Sequence, residues 1–276
     1  MPRSRAASLL ALVRVPNLAI SAAGVAIGGV LAQGRVVMPG ALRLAMLSAI
    51  GLGAAGNIAN DLADQDADRV NRPDRPLVSG ALSSNTAILV GGLLGGLGLL
   101  AAWMVEWRVF LLGLAALVVM LVYSPLLKRR GIAGNLAVAV VASVPLVYGA
   151  MAVGWWRAGL VASVLGAMLH FAREIVKDLE DVAGDAASGR RTIPIVFGRE
   201  TAFLVAAATL VCFVPASFAP FFVGWYGRRY AIAVGLLDLG VGILIARLLD
   251  RQLPGAKAGL KAAMLVGLAA LLWDRL

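Results

Sequence analysis

Nine runs of roughly twenty apolar residues recur along the chain, a length suited to crossing a bilayer as helix. They cover residues 10–32, 40–59, 84–104, 109–127, 132–153, 157–176, 200–223, 231–248 and 258–273. A helix rises about 1.5 Å per residue, so each run matches a hydrocarbon core of roughly 30 Å. No run alternates with period two, which excludes a transmembrane barrel. The expected fold is all-α: a polytopic bundle of about nine transmembrane helices, forming one integral-membrane domain over residues 1–276. Composition agrees, because charged residues are only 14% of the chain and mean hydropathy is +0.88. The first run is too long for the apolar stretch of a cleavable signal peptide, so none is expected. The single Cys212 leaves no internal disulfide to form.

The net charge of +10 does not point to nucleic acid, because the cations sit in short loops between apolar runs. Basic residues concentrate on the cytoplasmic side of membrane proteins. With the N-terminus inside, 18 Lys and Arg fall on cytoplasmic segments and 7 on the opposite side. This places the chain in the cytoplasmic membrane as a multi-pass protein, with membrane lipids as its surroundings.

Acidic residues are distributed very differently. Of 15, five lie within 61–74 and five within 174–185. Both windows close an apolar run on the expected cytoplasmic side. Asn57, Asp61, Asp64 and Asp68 fall at i, i+4, i+7 and i+11, and Glu174, Asp178, Asp181 and Asp185 repeat that spacing. Each set lines one helix face. At an offset of 117 residues, NIANDLADQDAD aligns with EIVKDLEDVAGD, the signature of an internal duplication. Carboxylates so close repel one another, the more so near lipid. A hard divalent cation relieves this, and Mg²⁺ typically combines one or two carboxylates with substrate phosphates. The candidate metal ligands are therefore Asp61, Asp64, Asp68, Asp178, Asp181 and Asp185.

Cations flank both windows. The segment RVNRPDRPLVSG carries Arg69, Arg72 and Arg75, and its prolines are expected to hold it extended and stiff. Ser83 or Ser84 is expected to cap the following helix. GDAASGRRTIPIVFG carries Arg190 and Arg191, and YSPLLKRRGIAGN carries Lys128, Arg129, Arg130 and Asn135. Loops on one membrane face thus offer cations to an anionic substrate.

With these motifs the chain resembles the UbiA superfamily of intramembrane prenyltransferases. The family's NDxxDxxxD reads here as Asn60, Asp61, Asp64 and Asp68, and its DxxDxxxD as Asp178, Asp181 and Asp185. RVPNL in the first helix, YSPLLKRRGIAGN after the fourth and the count of nine helices extend the likeness over nearly the whole chain. The resemblance implies an enzyme that ionises a polyprenyl diphosphate with Mg²⁺ held by the six aspartates. It implies a prenyl tail lying in an apolar tunnel within the bundle, open to lipid, and transfer to a lipid acceptor. Asn57 and Asn60 would help bind the metal–diphosphate complex. Arg72, Lys128, Arg129 and Lys177 would contact phosphate, and Arg14 and Asn17 match a first-helix pattern near the site. NRPDRPLVSG and the stretch around the second motif look most like the ether-lipid branch. That branch transfers geranylgeranyl from geranylgeranyl diphosphate to geranylgeranylglyceryl phosphate. An aromatic, quinone-pathway or chlorophyll-type acceptor stays open, and so does a divalent-cation transporter as a reading of another class.

Overall fold

A computed structural model of the chain describes residues 4–127, 130–187 and 189–276. Its elements are α1 (Arg5–Val13), α2 (Val15–Gln33), α3 (Gly40–Ala63), α4 (Gln65–Asn71), α5 (Ser84–Val105) and α6 (Trp107–Val122), followed by a π-helical turn, Tyr123–Leu127. The second half comprises α7 (Ile132–Ala152), α8 (Trp156–Glu180), α9 (Val182–Ala187), α10 (Ile193–Val196), α11 (Arg199–Phe222), α12 (Arg228–Leu249) and α13 (Ala256–Arg275). Eight helices (α2, α3, α5, α7, α8, α11, α12 and α13) are long and apolar enough to cross a membrane, and α6 is a shorter ninth. No strand occurs among the described residues. The all-α bundle expected from the apolar runs is the one observed.

The duplication extends well beyond the acidic windows. Adding 117 to the bounds of α2, α3 and α5 gives 132–150, 157–180 and 201–222; α7, α8 and α11 occupy 132–152, 156–180 and 199–222. The first two partners, α2 and α7, meet almost backbone to backbone. A Cβ on Gly28 would lie 1.9 Å from the Leu146 carbonyl oxygen, and one on Gly149 would lie 1.8 Å from that of Val25. Only glycine permits such an approach, and in lipid, where apolar surface has no water to escape, close contact of this kind is what holds helices together.

One apolar cluster joins α8, α11, α12 and α13, with Phe213, Tyr230 and Leu260 among its buried members. Another joins α2, α3, α5, α6 and α7 through Val25, Leu42, Ala102, Val109 and Tyr148. The outer surface is apolar as well: Ile20, Leu89 and Phe222 are 71%, 74% and 78% exposed. In water such a surface would aggregate, whereas lipid tails solvate it.

Three details differ from the sequence reading. The first run is not one helix, because the chain breaks at Arg14, which takes φ 58° between α1 and α2. Pro16 sits in the first turn of α2, and a proline there has no N–H for a preceding turn and crowds the carbonyl four residues back. The fourth run ends as α-helix at Val122, short of its expected end at 127. The segment after α4 is coiled rather than extended. Pro73 enters a tight turn closed by Arg75 N–H donating to the Arg72 carbonyl at 3.1 Å, and Ser79 N–H returns to the Arg75 carbonyl at 2.8 Å. Proline's fixed φ suits the second position of such turns. Ser83 caps α5 as expected, its hydroxyl accepting from Thr86 N–H at 3.1 Å.

Candidate active site

Both acidic windows fold into the same device. A long helix ends one residue before a central aspartate, and a short helix starts one residue after it. Asp64 stands between α3 and α4 at φ −98°, ψ 6°; Asp181 stands between α8 and α9 at φ −115°, ψ 28°. The Asp68 N–H donates to the Asp64 carbonyl at 2.9 Å, and the Asp185 N–H donates to the Asp181 carbonyl at 2.9 Å. The break turns each short helix while leaving all three aspartates of a motif at the same membrane face. Four crossings (α5, α6, α7 and α8) separate the two devices, an even number, so both lie at one face of the bundle.

In each motif the first and third aspartates are buried and held, while the central one is more accessible. Asp61, Asp68, Asp178 and Asp185 are 5%, 8%, 7% and 3% exposed. Asp64 is half-buried and Asp181 exposed. Asp61 pairs with Arg14 and, at 3.0 Å, with Arg75. Arg75 also pairs with Asp68, so one guanidinium ties the first and third carboxylates of the motif together. Asp178 accepts from the Asn135 amide at 2.8 Å, and Asp185 from Arg190 at 2.8 Å. Each first aspartate is thus held by a residue at the start of the neighbouring long helix: Arg14 before α2, Asn135 in α7.

The break at Pro16 now has a purpose in the site. It turns Arg14 out of helical register, where its guanidinium reaches Asp61 across to α3. Asn57 supports the same corner by donating to the Val13 carbonyl at 2.9 Å, one of the unpaired carbonyls at the end of α1.

Other expected binders are placed differently. Lys177 pairs with Glu174 at 2.9 Å, and Arg173 takes the other oxygen of the same carboxylate at 2.9 Å. Arg72 ends α4 with an exposed side chain, and Asn17 is exposed on α2. Asn60 lies one residue before Asp61 on α3. Lys128 and Arg129 lie outside the described residues.

Four further residues join the site: Arg75, Asn135 and Arg190, which the sequence offered only as residues of the flanking loops, and Tyr123, which it did not single out. Tyr123 opens the π-helical turn and lies within electrostatic reach of Asp64 from the first motif and of Glu174, Asp178 and Arg190 from the second. Burial, reinforced by these carboxylates, pushes its hydroxyl up to about 12. It therefore stays a neutral phenol between the two motifs. A π turn is a frequent mark of functional sites, but no spacing in the sequence signals one.

Among the described residues, no three or more carboxylate, His or Cys side chains converge closely enough to cage a metal by themselves. The donors are hard oxygens, accessible at Asp64 and Asp181 and spaced along helix faces. That set fits Mg²⁺, which keeps waters and completes its shell with substrate phosphates, better than a metal enclosed by protein ligands alone.

Residues 21–268 match the UbiA prenyltransferase family. The chain belongs to that family. It is 37% identical over 243 residues to digeranylgeranylglyceryl phosphate synthase of Thermococcus gammatolerans, covering 87% of this chain and 88% of the relative. The synthase of Halobacterium salinarum strain R1 is 40% identical over 229 residues, 82% of each chain. That of Natronomonas pharaonis is 32% identical over 273 residues, 99% of this chain and 98% of the other. Among solved structures, one described as digeranylgeranylglyceryl phosphate synthase in membranes superposes with a TM-score of 0.91 at 25% identity, covering 98% of both chains. A UbiA homologue from Archaeoglobus fulgidus, bound to DMAPP and Mg²⁺, shares the fold with a TM-score of 0.71 at 19% identity, covering 96% and 99%. This UbiA chain is accordingly a membrane-embedded prenyltransferase, and the cation-transporter reading falls away.

Proposed function

We propose that the protein transfers a geranylgeranyl group from geranylgeranyl diphosphate to geranylgeranylglyceryl phosphate, with Mg²⁺ at the paired acidic helix ends. The observation that carries this is the twofold device itself: two aspartate triads at one membrane face, each with its outer carboxylates held by cations or an amide and its central one accessible. The ether-lipid acceptor is supported by relatives at 37% and 40% identity that carry that activity in their names. The surplus of cations at the same face fits an acceptor that brings its own phosphate.

When bound, Mg²⁺ would neutralise the charge that builds on the departing diphosphate. The chain's own groups position and shield. Asp64 and Asp181 present the more accessible oxygens of the two motifs, and Asp61, Asp68, Asp178 and Asp185 the more buried ones. Arg14, Arg75, Asn135 and Arg190 hold those four in place. Asn60 assists at the first motif, and Arg72, Lys128 and Arg129 contact phosphate oxygens. An allylic cation is resonance-stabilised, so bond breaking depends mainly on stabilising the leaving group and excluding water. The apolar bundle supplies the second. The active site faces the cytoplasm, following the bias of basic residues.

Purified protein with Mg²⁺ and labelled geranylgeranyl diphosphate, offered the glyceryl phosphate and separately an aromatic acid, tests this. Label in the glyceryl phosphate product, lost in Asp64→Ala and Asp181→Ala, is expected. Label only in the aromatic product would overturn the acceptor while keeping the chemistry. Transfer undiminished in both variants would remove the acidic ends from the mechanism.

A further inference from the structure

In each half of the duplication the residue before the first long helix leaves right-handed backbone space. Arg14 precedes α2 at φ 58°, ψ 60°, and Gly131 precedes α7 at φ 50°, ψ −110°. The two positions are 117 residues apart, the offset that also aligns the acidic motifs. Each serves the first aspartate of its own motif. Arg14 does so with its guanidinium, on Asp61. Gly131 has no side chain to offer. Its carbonyl accepts the Asn135 N–H at 3.0 Å as α7 begins, and the Asn135 amide donates to Asp178 at 2.8 Å.

The space that a side chain at 131 would need is taken. A Cβ there would lie 2.5 Å from the Arg191 carbonyl oxygen, well inside van der Waals contact. The φ of 50° with ψ of −110° also lies outside the left-handed well, in a region that glycine alone enters without strain. The Arg191 side of this contact is firm. Thr192 and Ile193 follow it, 6% and 0% exposed, and Ile193 belongs to the cluster that joins α8, α11, α12 and α13. Arg190 precedes it and is tied to Asp185 twice. Its N–H donates to the Asp185 carbonyl at 3.0 Å and its guanidinium to the carboxylate at 2.8 Å. Two loops therefore meet at Gly131, one leading to the residue that holds Asp178, the other to the residue that holds Asp185. These two carboxylates repel each other, so the spacing at which they are held governs how readily they accept a cation.

We propose that Gly131 is the positioning residue of the second aspartate motif: it docks the loop before α7 on the loop before α10, and so fixes the spacing of Asp178 and Asp185 for a divalent cation. This rests on the reading of the motif as a Mg²⁺ site. It makes Gly131 the counterpart of Arg14, with a backbone contact replacing the guanidinium.

The test compares Gly131→Ala and a control, Gly224→Ala, with wild type as purified full-length protein. Gly224 lies between α11 and α12 at φ 73° with nothing within 4 Å of a Cβ, so its substitution brings backbone strain without the contact. The readout is the Mg²⁺ concentration giving half-maximal binding of labelled geranylgeranyl diphosphate, with no acceptor present. It is expected to rise about tenfold in Gly131→Ala, as for loss of a group that orients metal ligands, and to stay at the wild-type value in Gly224→Ala. A smaller folded fraction lowers the amplitude of that curve and leaves its midpoint in place. Trypsin cutting after Arg190 and Arg191 is expected to speed up in Gly131→Ala alone, because the undocked loop opens more often. An unmoved midpoint, unchanged cutting, or equal changes in both variants overturns the proposal and leaves the Mg²⁺ reading standing. Wild-type binding that ignores Mg²⁺ overturns both. Should Gly131→Ala yield no folded protein, spin labels on Arg130→Cys and Arg191→Cys, both exposed positions, in a Cys212→Ala background decide. One narrow distance between them supports docking of the two loops, and a broad distribution overturns it.

Discussion

Arg75 does the work of two residues. Its guanidinium meets Asp61 and Asp68 together, and its side chain is 16% exposed. Removing it strands one carboxylate and leaves the other with Arg14 alone, and a buried charge without its partner is costly. Arg75→Met is expected to lower stability by about 2 kcal/mol, after allowance for residual exposure, and to reduce transfer at least a hundredfold. Adding Asp68→Asn is expected to restore most of the lost thermal stability in detergent, and none of the activity. Recovery of both would make Arg75 a purely structural partner of Asp68. Asn57 shows the converse: a residue in the motif's register that closes the end of α1 at Val13.

Among the elements, the junction of α1 and α2 joins local stereochemistry to the site. Arg14 holds a left-handed conformation that a non-glycine residue adopts at a cost of about 1 kcal/mol. It persists because Pro16 blocks a continuous helix and Asp61 receives the guanidinium. Pro16→Ala restores an N–H and lets α1 and α2 join. The expected outcome is equal or higher thermal stability, with kcat/KM about tenfold lower, because Arg14 leaves Asp61. Unchanged kcat/KM would show that Arg14 reaches Asp61 without the break. The matched breaks at Asp64 and Asp181 are the counterpart in the acidic arms, where a one-residue interruption re-aims a short helix without moving its parent.

For the whole molecule, the four crossings between the two acidic ends make their shared face a matter of counting, and the proposal that this face is cytoplasmic rests on the bias of basic residues. In a Cys212→Ala background, Ser79→Cys is expected to resist a membrane-impermeant thiol reagent added outside intact cells and to react once the membrane is opened. Val36→Cys, between α2 and α3, is expected to react at once. The reverse pattern would invert the topology and place the acidic face outside.

Much of this protein is legible in its residue order, because the membrane constrains the chain locally. A helix must satisfy its own backbone in lipid, so run length alone locates the spans. Ten of the chain's 15 acidic residues gather in two windows, and their repeated spacing announces both the duplication and the candidate metal-binding residues. What only the tertiary structure decided are partnerships between helices distant in sequence. Arg75 rather than Arg72 meets the carboxylates, because the turn at Pro73 coils a loop that looked extended. Lys177 is occupied by Glu174. Tyr123 enters the site through a π turn that no spacing marks, and Asn135 reaches Asp178 across the packing of α7 on α8. The same holds for the buried hydrogen bond between Ser48 and Tyr148, which lie 100 residues apart. Spacing along one helix records which residues share its face; which face meets which is set by packing, through contacts such as those at Gly28 and Gly149.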